Sequence, residues 1–198
     1  WKDSEIYPHI KDRLERNIDA GLYTKDLRKH YTDEELDKID SYLRHSRDTE
    51  FTYAGLQQVV DKYLVQDRST NKIFETPQFM YMLIAMTLFM RYDNGERLDY
   101  VKRYYDAIST FKINIPTPIM AGVRTPLKQF ASCVLVDSDD TLDSLFASDM
   151  AIGRYVAQRA GIGINAGRIR GLGSRIRGGE VQHTGVIPFL KKFESTVR

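Results

Sequence analysis

QFASCVLVDSDDTLDSLFASDMAIGRYVAQRAGIGINA, residues 129–166, decides the architecture. Residues 132–136 are a short, mostly apolar run that predicts a buried strand; an acidic turn, a helix over about 141–160 and a second strand over 163–166 follow. Strand, helix and strand in that order begin a parallel α/β unit, in which the connecting helix covers one face of the sheet. The sequence ends before such a sheet closes.

Upstream the period changes to that of helices. A segment over 4–20 stops at Gly21. Thr32 and Glu35 have capping-box spacing, each side chain able to satisfy a free amide at the start of a helix running to about residue 43. Leu56, Val59, Val60 and Tyr63 share one helix face, as do Leu98, Val101, Tyr105 and Ile108. Between these helices an Arg68-Ser69-Thr70-Asn71 turn predicts a small hairpin within 63–75, and Pro77 opens a buried helix. The apolar run 79–90 falls short of the roughly 20 residues needed to cross a bilayer. After Phe111 the prolines Pro116 and Pro118 predict an extended stretch over 114–118. The chain therefore divides into a helical region, 1–128, and the start of an α/β region, 129–198.

A net charge of +2 with both signs mixed gives no global field for nucleic acid or membrane, so any basic site is local. The single cysteine, Cys133, excludes an internal disulfide and, with four scattered histidines, leaves no soft-metal ligand set. This points to cytoplasmic chemistry. The chain opens on Trp1 without a secretory signal pattern, which places the natural N-terminus upstream.

Gly161, Gly163 and Gly167 invite comparison with dinucleotide-binding loops, but those loops follow a strand and open a helix, and here the glycines follow a helix. Tight helix-to-strand packing is the simpler explanation. Arg168, Arg170, Arg175 and Arg177 alternate with glycines, a composition suited either to phosphate oxygens or to an exposed, solvated loop. Asp140 precedes a helix and suits an N-cap; as a ligand residue it would accept from a sugar hydroxyl. Cys133, in a strand expected to be buried, reads as a small inert hydrophobe or as a redox thiol. The adjacent carboxylates Asp137, Asp139 and Asp140 are not spaced as opposed acid and base.

Pro116-Thr117-Pro118, QFASCVLVDSDDTLDS from Gln129 and QRAGIGINAGRIRGLGSRIRGGE from Gln158 together resemble the large subunit of class I (aerobic) ribonucleotide reductases. The resemblance extends back through YVKRYYDAISTFKI and KYLVQDRSTNKIFET to the capping-box helix. It implies a mainly α N-terminal region followed by the first elements of a ten-stranded α/β barrel, incomplete in this chain. It implies reduction of ribonucleoside diphosphates to 2'-deoxyribonucleoside diphosphates by thiyl-radical chemistry, with this piece inactive alone. By resemblance Cys133 is one of the cysteine pair that supplies two electrons and becomes a disulfide, its partner lying beyond Arg198. Thr117, Ser132 and Gly161 match substrate-pocket positions. Asp140, Thr141 and Leu142 match the segment that holds a deoxynucleoside triphosphate effector, and Arg170 and Arg177 match its triphosphate-binding arginines. The family also implies dNTP or ATP effectors, no cofactor on this chain, a metal-radical cofactor in a separate small subunit, thioredoxin or glutaredoxin as reductant, and a homodimer formed near residues 141–160. Arg175 departs from the family, which commonly has proline there. Two rival readings remain at this level: a split-protein half that reassembles with a partner chain, and a noncatalytic nucleotide- or RNA-binding module.

Overall fold

The computed structural model describes residues 7–198 and divides into two compact units, one running to Phe130 and the other from Ala131 to Arg198. The start of the helix expected over 4–20 lies outside the described residues.

The first unit is helical. Helix α1 (Ile10–Asp19) begins at His9, whose ring nitrogen accepts from the Lys11 amide, and the chain reverses through Gly21 at φ +72°, where a residue lacking Cβ is favoured. After the short α2 (Asp26–His30), helix α3 (Asp33–Asp40) starts in the expected capping box: Glu35 N–H donates to Thr32 Oγ1 at 3.3 Å and Thr32 N–H to Glu35 Oε2 at 2.9 Å. A 3-10 turn (His45–Glu50) leads to α4 (Tyr53–Lys62), then to the predicted hairpin of β1 (Gln66–Asp67) and β2 (Lys72–Ile73). Helix α5 (Pro77–Phe89) opens on proline, as expected, and is buried from Pro77 to Thr87 on every side. A helix apolar all round has to be central. Its side chains form the core with Ile10, Leu14, Leu27, Leu36 and Ile39, and with Val101, Tyr105 and Ile108 of α6 (Arg97–Ser109).

The extended stretch expected over 114–118 is corrected at its end, residues 117–118. Pro116 is extended at ψ 150°, but a short helix α7 (Thr117–Gly122) begins directly after it. Pro118 lies in that first turn, where no amide donor is needed, so proline starts the helix instead of preventing it.

In the second unit β3 (Cys133–Asp137) and β4 (Gly161–Asn165) pair in parallel, in register from Cys133 with Gly161 to Asp137 with Asn165, and α8 (Leu142–Ala157) connects them. The strand–helix–strand unit is therefore present, with β4 beginning two residues earlier than expected. The prediction of a buried first strand is corrected: Cys133, Leu135 and Asp137 are exposed, and Val134 and Val136 are half-buried. An apolar run signals a strand but does not say how many faces are covered. One face packs Val136, Ile162 and Ile164 against Leu145 and Ile152 of α8 and Phe193 of α9 (Ile187–Thr196). The other face is open among the described residues. Between β4 and α9 a small hairpin pairs β5 (Arg175–Ile176) with β6 (Val181–Gln182), so part of the Gly/Arg segment is ordered strand.

Candidate functional site

The open face of the β3–β4 pair carries the candidate residues Cys133 and Gly161. Cys133 begins β3 as a free, exposed thiol, so its reading as a buried inert side chain is replaced. A thiol acts as nucleophile or reductant only where reactants can reach it, and exposure is the condition Cys133 meets. Directly opposite is Gly161, whose N–H donates to the Ser132 carbonyl at 2.9 Å. A Cβ on Gly161 would sit 3.5 Å from Cys133 Sγ, so the absence of a side chain there leaves the flank of the sulfur uncovered. Further along, a Cβ on Gly163 would meet Leu135 Cδ2 at 2.7 Å; glycine lets that leucine lie across the strand. Both glycines sit inside a strand and not in a strand-to-helix turn, which removes the dinucleotide-loop reading. Ser132, Cys133 and Gly161 are thus contiguous, through one backbone hydrogen bond and one strand pair.

At the far end of the strands lies a second group. The N-cap of α8 is Thr141, whose Oγ1 accepts from Ser144 N–H at 3.2 Å, and not Asp140. Asp140 is instead taken by Arg170: the Arg170 amide donates to Oδ1 at 3.0 Å and Nε to Oδ2 at 2.6 Å. The backbone bond from Arg170, helped by its guanidinium, holds the Asp140 carboxyl below the usual carboxylate range against the opposing effect of burial. The residue thus stays ionised at neutral pH. Arg168 pairs with Asp137 at 3.0 Å, and Asn165 donates to the same carboxylate at 2.9 Å, which ties the loop after β4 to the end of β3. Leu142, the first residue of α8, is 66% exposed.

Arg177 is not brought to Asp140 or Arg170. It sits exposed at the tip of the β5–β6 hairpin, at φ +52°, next to Gly178 and Gly179, whose φ are also positive. The base of that hairpin is closed by Gly173 N–H to His183 O at 2.9 Å and His183 N–H to Ser174 O at 2.8 Å. Arg177 lies beyond this base, exposed at the hairpin tip.

Thr117 lies in the helical unit, exposed at the start of α7, and its Oγ1 is 3.2 Å from the hydroxyl of Tyr63. Sequence reasoning missed what fixes this corner. Arg124 and Glu75 form a buried ion pair: Arg124 Nε donates to both carboxylate oxygens and Nη2 to Oε1, while Val65 N–H and Tyr23 OH donate to the same carboxylate at 2.7 and 2.6 Å. The remaining Arg124 donors reach Met120 O and Tyr63 O at 2.5 and 2.9 Å. Burial works against the Arg124 charge, but the Glu75 carboxylate outweighs it and raises the pKa. The partners are 49 residues apart in sequence, and each belongs to a residue type usually found at the surface, so nothing in the local pattern signals the pair.

Among the described residues no group of three or more His, Cys, Asp or Glu side chains is arranged to hold a metal ion, and no helix is long and apolar enough to cross a membrane.

Residues 49–128 match the family model described as ribonucleotide reductase, all-alpha domain, and residues 131–198 match ribonucleotide reductase, barrel domain. Over 191 residues, 96% of the chain, it is 54% identical to ribonucleoside-diphosphate reductase 1 subunit alpha of Salmonella typhimurium and equally to that of Escherichia coli. The subunit alpha of Enterobacteria phage T4 is 48% identical over 94% of the chain. The chain spans about a quarter of the length of these relatives.

Proposed function

Because this chain belongs to the ribonucleotide reductase large-subunit family, residues 49–128 matching its all-alpha domain and 131–198 its barrel domain, we propose that it supplies part of the substrate pocket and part of the effector site of a ribonucleoside-diphosphate reductase. The observation that carries this reading is the exposed Cys133 thiol at the head of β3, flanked by Ser132 and by a glycine that leaves the sulfur accessible.

Cys133 acts as one of two reducing thiols. The ribose 2'-hydroxyl, once protonated, leaves as water; two thiols give up two electrons and two protons and join as a disulfide, and the 2'-carbon gains hydrogen. The balance is ribonucleoside diphosphate plus two thiols giving deoxyribonucleoside diphosphate, disulfide and water. The second thiol comes from outside residues 1–198, which hold one cysteine. A small partner subunit with a metal-radical centre supplies the radical that starts the reaction, and thioredoxin or glutaredoxin returns the disulfide to thiols. Ser132 and Thr117 offer hydroxyls to the ribose or the diphosphate. Gly161 keeps the pocket wall low beside the sulfur.

Asp140, Thr141, Leu142, Arg170 and Arg177 form this chain's share of the site for a deoxynucleoside triphosphate or ATP effector. Asp140 anchors Arg170 through backbone and side chain together, which pre-sets the guanidinium before phosphate arrives. Arg177, followed by two glycines on a hairpin tip, closes on the phosphates as a second fork. Homodimerisation uses α8, whose Leu142, Phe146 and Met150 form an exposed apolar stripe at four-residue spacing, 66%, 58% and 56% exposed. In the complete polypeptide, Arg170→Ala is expected to weaken effector binding about 10- to 100-fold while leaving ribonucleoside diphosphate affinity without effector unchanged. Isothermal titration with a deoxynucleoside triphosphate reads this directly, and an unchanged affinity would remove Arg170 from the site.

A further inference from the structure

An exposed threonine at the first position of a six-residue helix would ordinarily carry a freely rotating hydroxyl, yet Thr117 does not stand alone. The Tyr63 phenol meets its Oγ1 at 3.2 Å, and Tyr63 is itself held at both ends. Its N–H donates to Val59 O at 2.9 Å as α4 ends, and its carbonyl accepts from Arg124 Nη2 at 2.9 Å. The same guanidinium donates through Nη1 to Met120 O, three residues along the helix that Thr117 begins. One buried cation, locked by Glu75, therefore fixes both the helix that bears Thr117 and the residue that contacts its hydroxyl.

We propose that Tyr63 is a positioning residue for Thr117, setting the direction of the threonine hydroxyl toward substrate. This rests on the reading of Thr117 as a substrate hydroxyl. A hydroxyl has one proton to give and two lone pairs. When the Tyr63 phenol donates to Oγ1, the threonine proton is left to point outward at a ribose or phosphate oxygen. Without the phenol the rotor is unconstrained, and part of the binding free energy goes to ordering it.

The test is a cycle of Tyr63→Phe, Thr117→Val and the double variant in the complete large subunit assayed with its small subunit. Tyr63→Phe keeps the ring and removes only the hydroxyl. It is expected to raise KM for the ribonucleoside diphosphate about three- to tenfold with kcat held within about twofold and the thermal midpoint unchanged. In the Thr117→Val background the same change is expected to do nothing further, because the phenol acts through the threonine. An equal KM increase in both backgrounds would overturn the proposal, and so would no increase from Tyr63→Phe while Thr117→Val alone raises KM; in those cases Thr117 remains a substrate residue. If Thr117→Val leaves KM unchanged, the reading of Thr117 and the proposal fall together.

Discussion

At Gly161 the missing atom matters more than any present one. The strand pair places this residue against Cys133, and a side chain grown from it would rest on the sulfur at van der Waals distance, 3.5 Å from the first carbon alone. Gly161 is not among the positive-φ glycines, so its backbone accepts an ordinary L side chain and the constraint is space for a reactant. Gly161→Val is therefore expected to leave the fold intact and to slow alkylation of Cys133 by iodoacetamide about tenfold or more, measured by mass spectrometry of the labelled peptide. An unchanged rate would mean that the valine does not cover the thiol. The sequence names these two residues but not their pairing. Cysteine in an apolar run reads as core, and only the parallel register and the open sheet face turn it into an accessible thiol. In the same way Asp140 reads as a helix cap by position. Thr141 takes that role, because its hydroxyl reaches Ser144 N–H while Arg170 claims the aspartate from 30 residues away.

Among the elements, those set by local chemistry were legible and those set by distant partners were not. The capping box at Thr32, the stop at Gly21, the hairpin before Pro77 and the all-apolar α5 follow from a few neighbouring residues each. Helix α7 was misread because two prolines look like a barrier, although one of them sits in a first turn that needs no amide donor. What stabilises α7 is the buried Arg124, whose partners come from the hairpin, the end of α4 and the loop after α1. Removing only the cation would leave the Glu75 carboxylate enclosed and uncompensated. Arg124→Met is expected to cost about 3–5 kcal/mol in urea unfolding of the helical unit, and Arg124→Met with Glu75→Gln to recover part of that loss. An unaltered urea midpoint for the single variant would show that water reaches the carboxylate.

On the scale of the whole molecule, the parallel strand pair has one covered face and, among the described residues, one open face. The covered face takes α8 and α9, fastened to each other by Lys192 and Thr196 on Asp149. The outer side of α8 presents the Leu142, Phe146 and Met150 stripe, for which a second copy of the chain is the proposed occupant. Phe146→Asp in the complete polypeptide is expected to raise the dimer dissociation constant at least about tenfold in sedimentation velocity, because it buries a charge where a ring packed; an unshifted dimer would place the interface elsewhere. The reducing role proposed for Cys133 is removed by Cys133→Ser in the complete large subunit. Assayed with a radical-generating small subunit and a dithiol reductant, the variant is expected to bind ribonucleoside diphosphate normally and to lose at least about 1000-fold in deoxyribonucleotide formation. Multiple turnovers at the wild-type rate would contradict it.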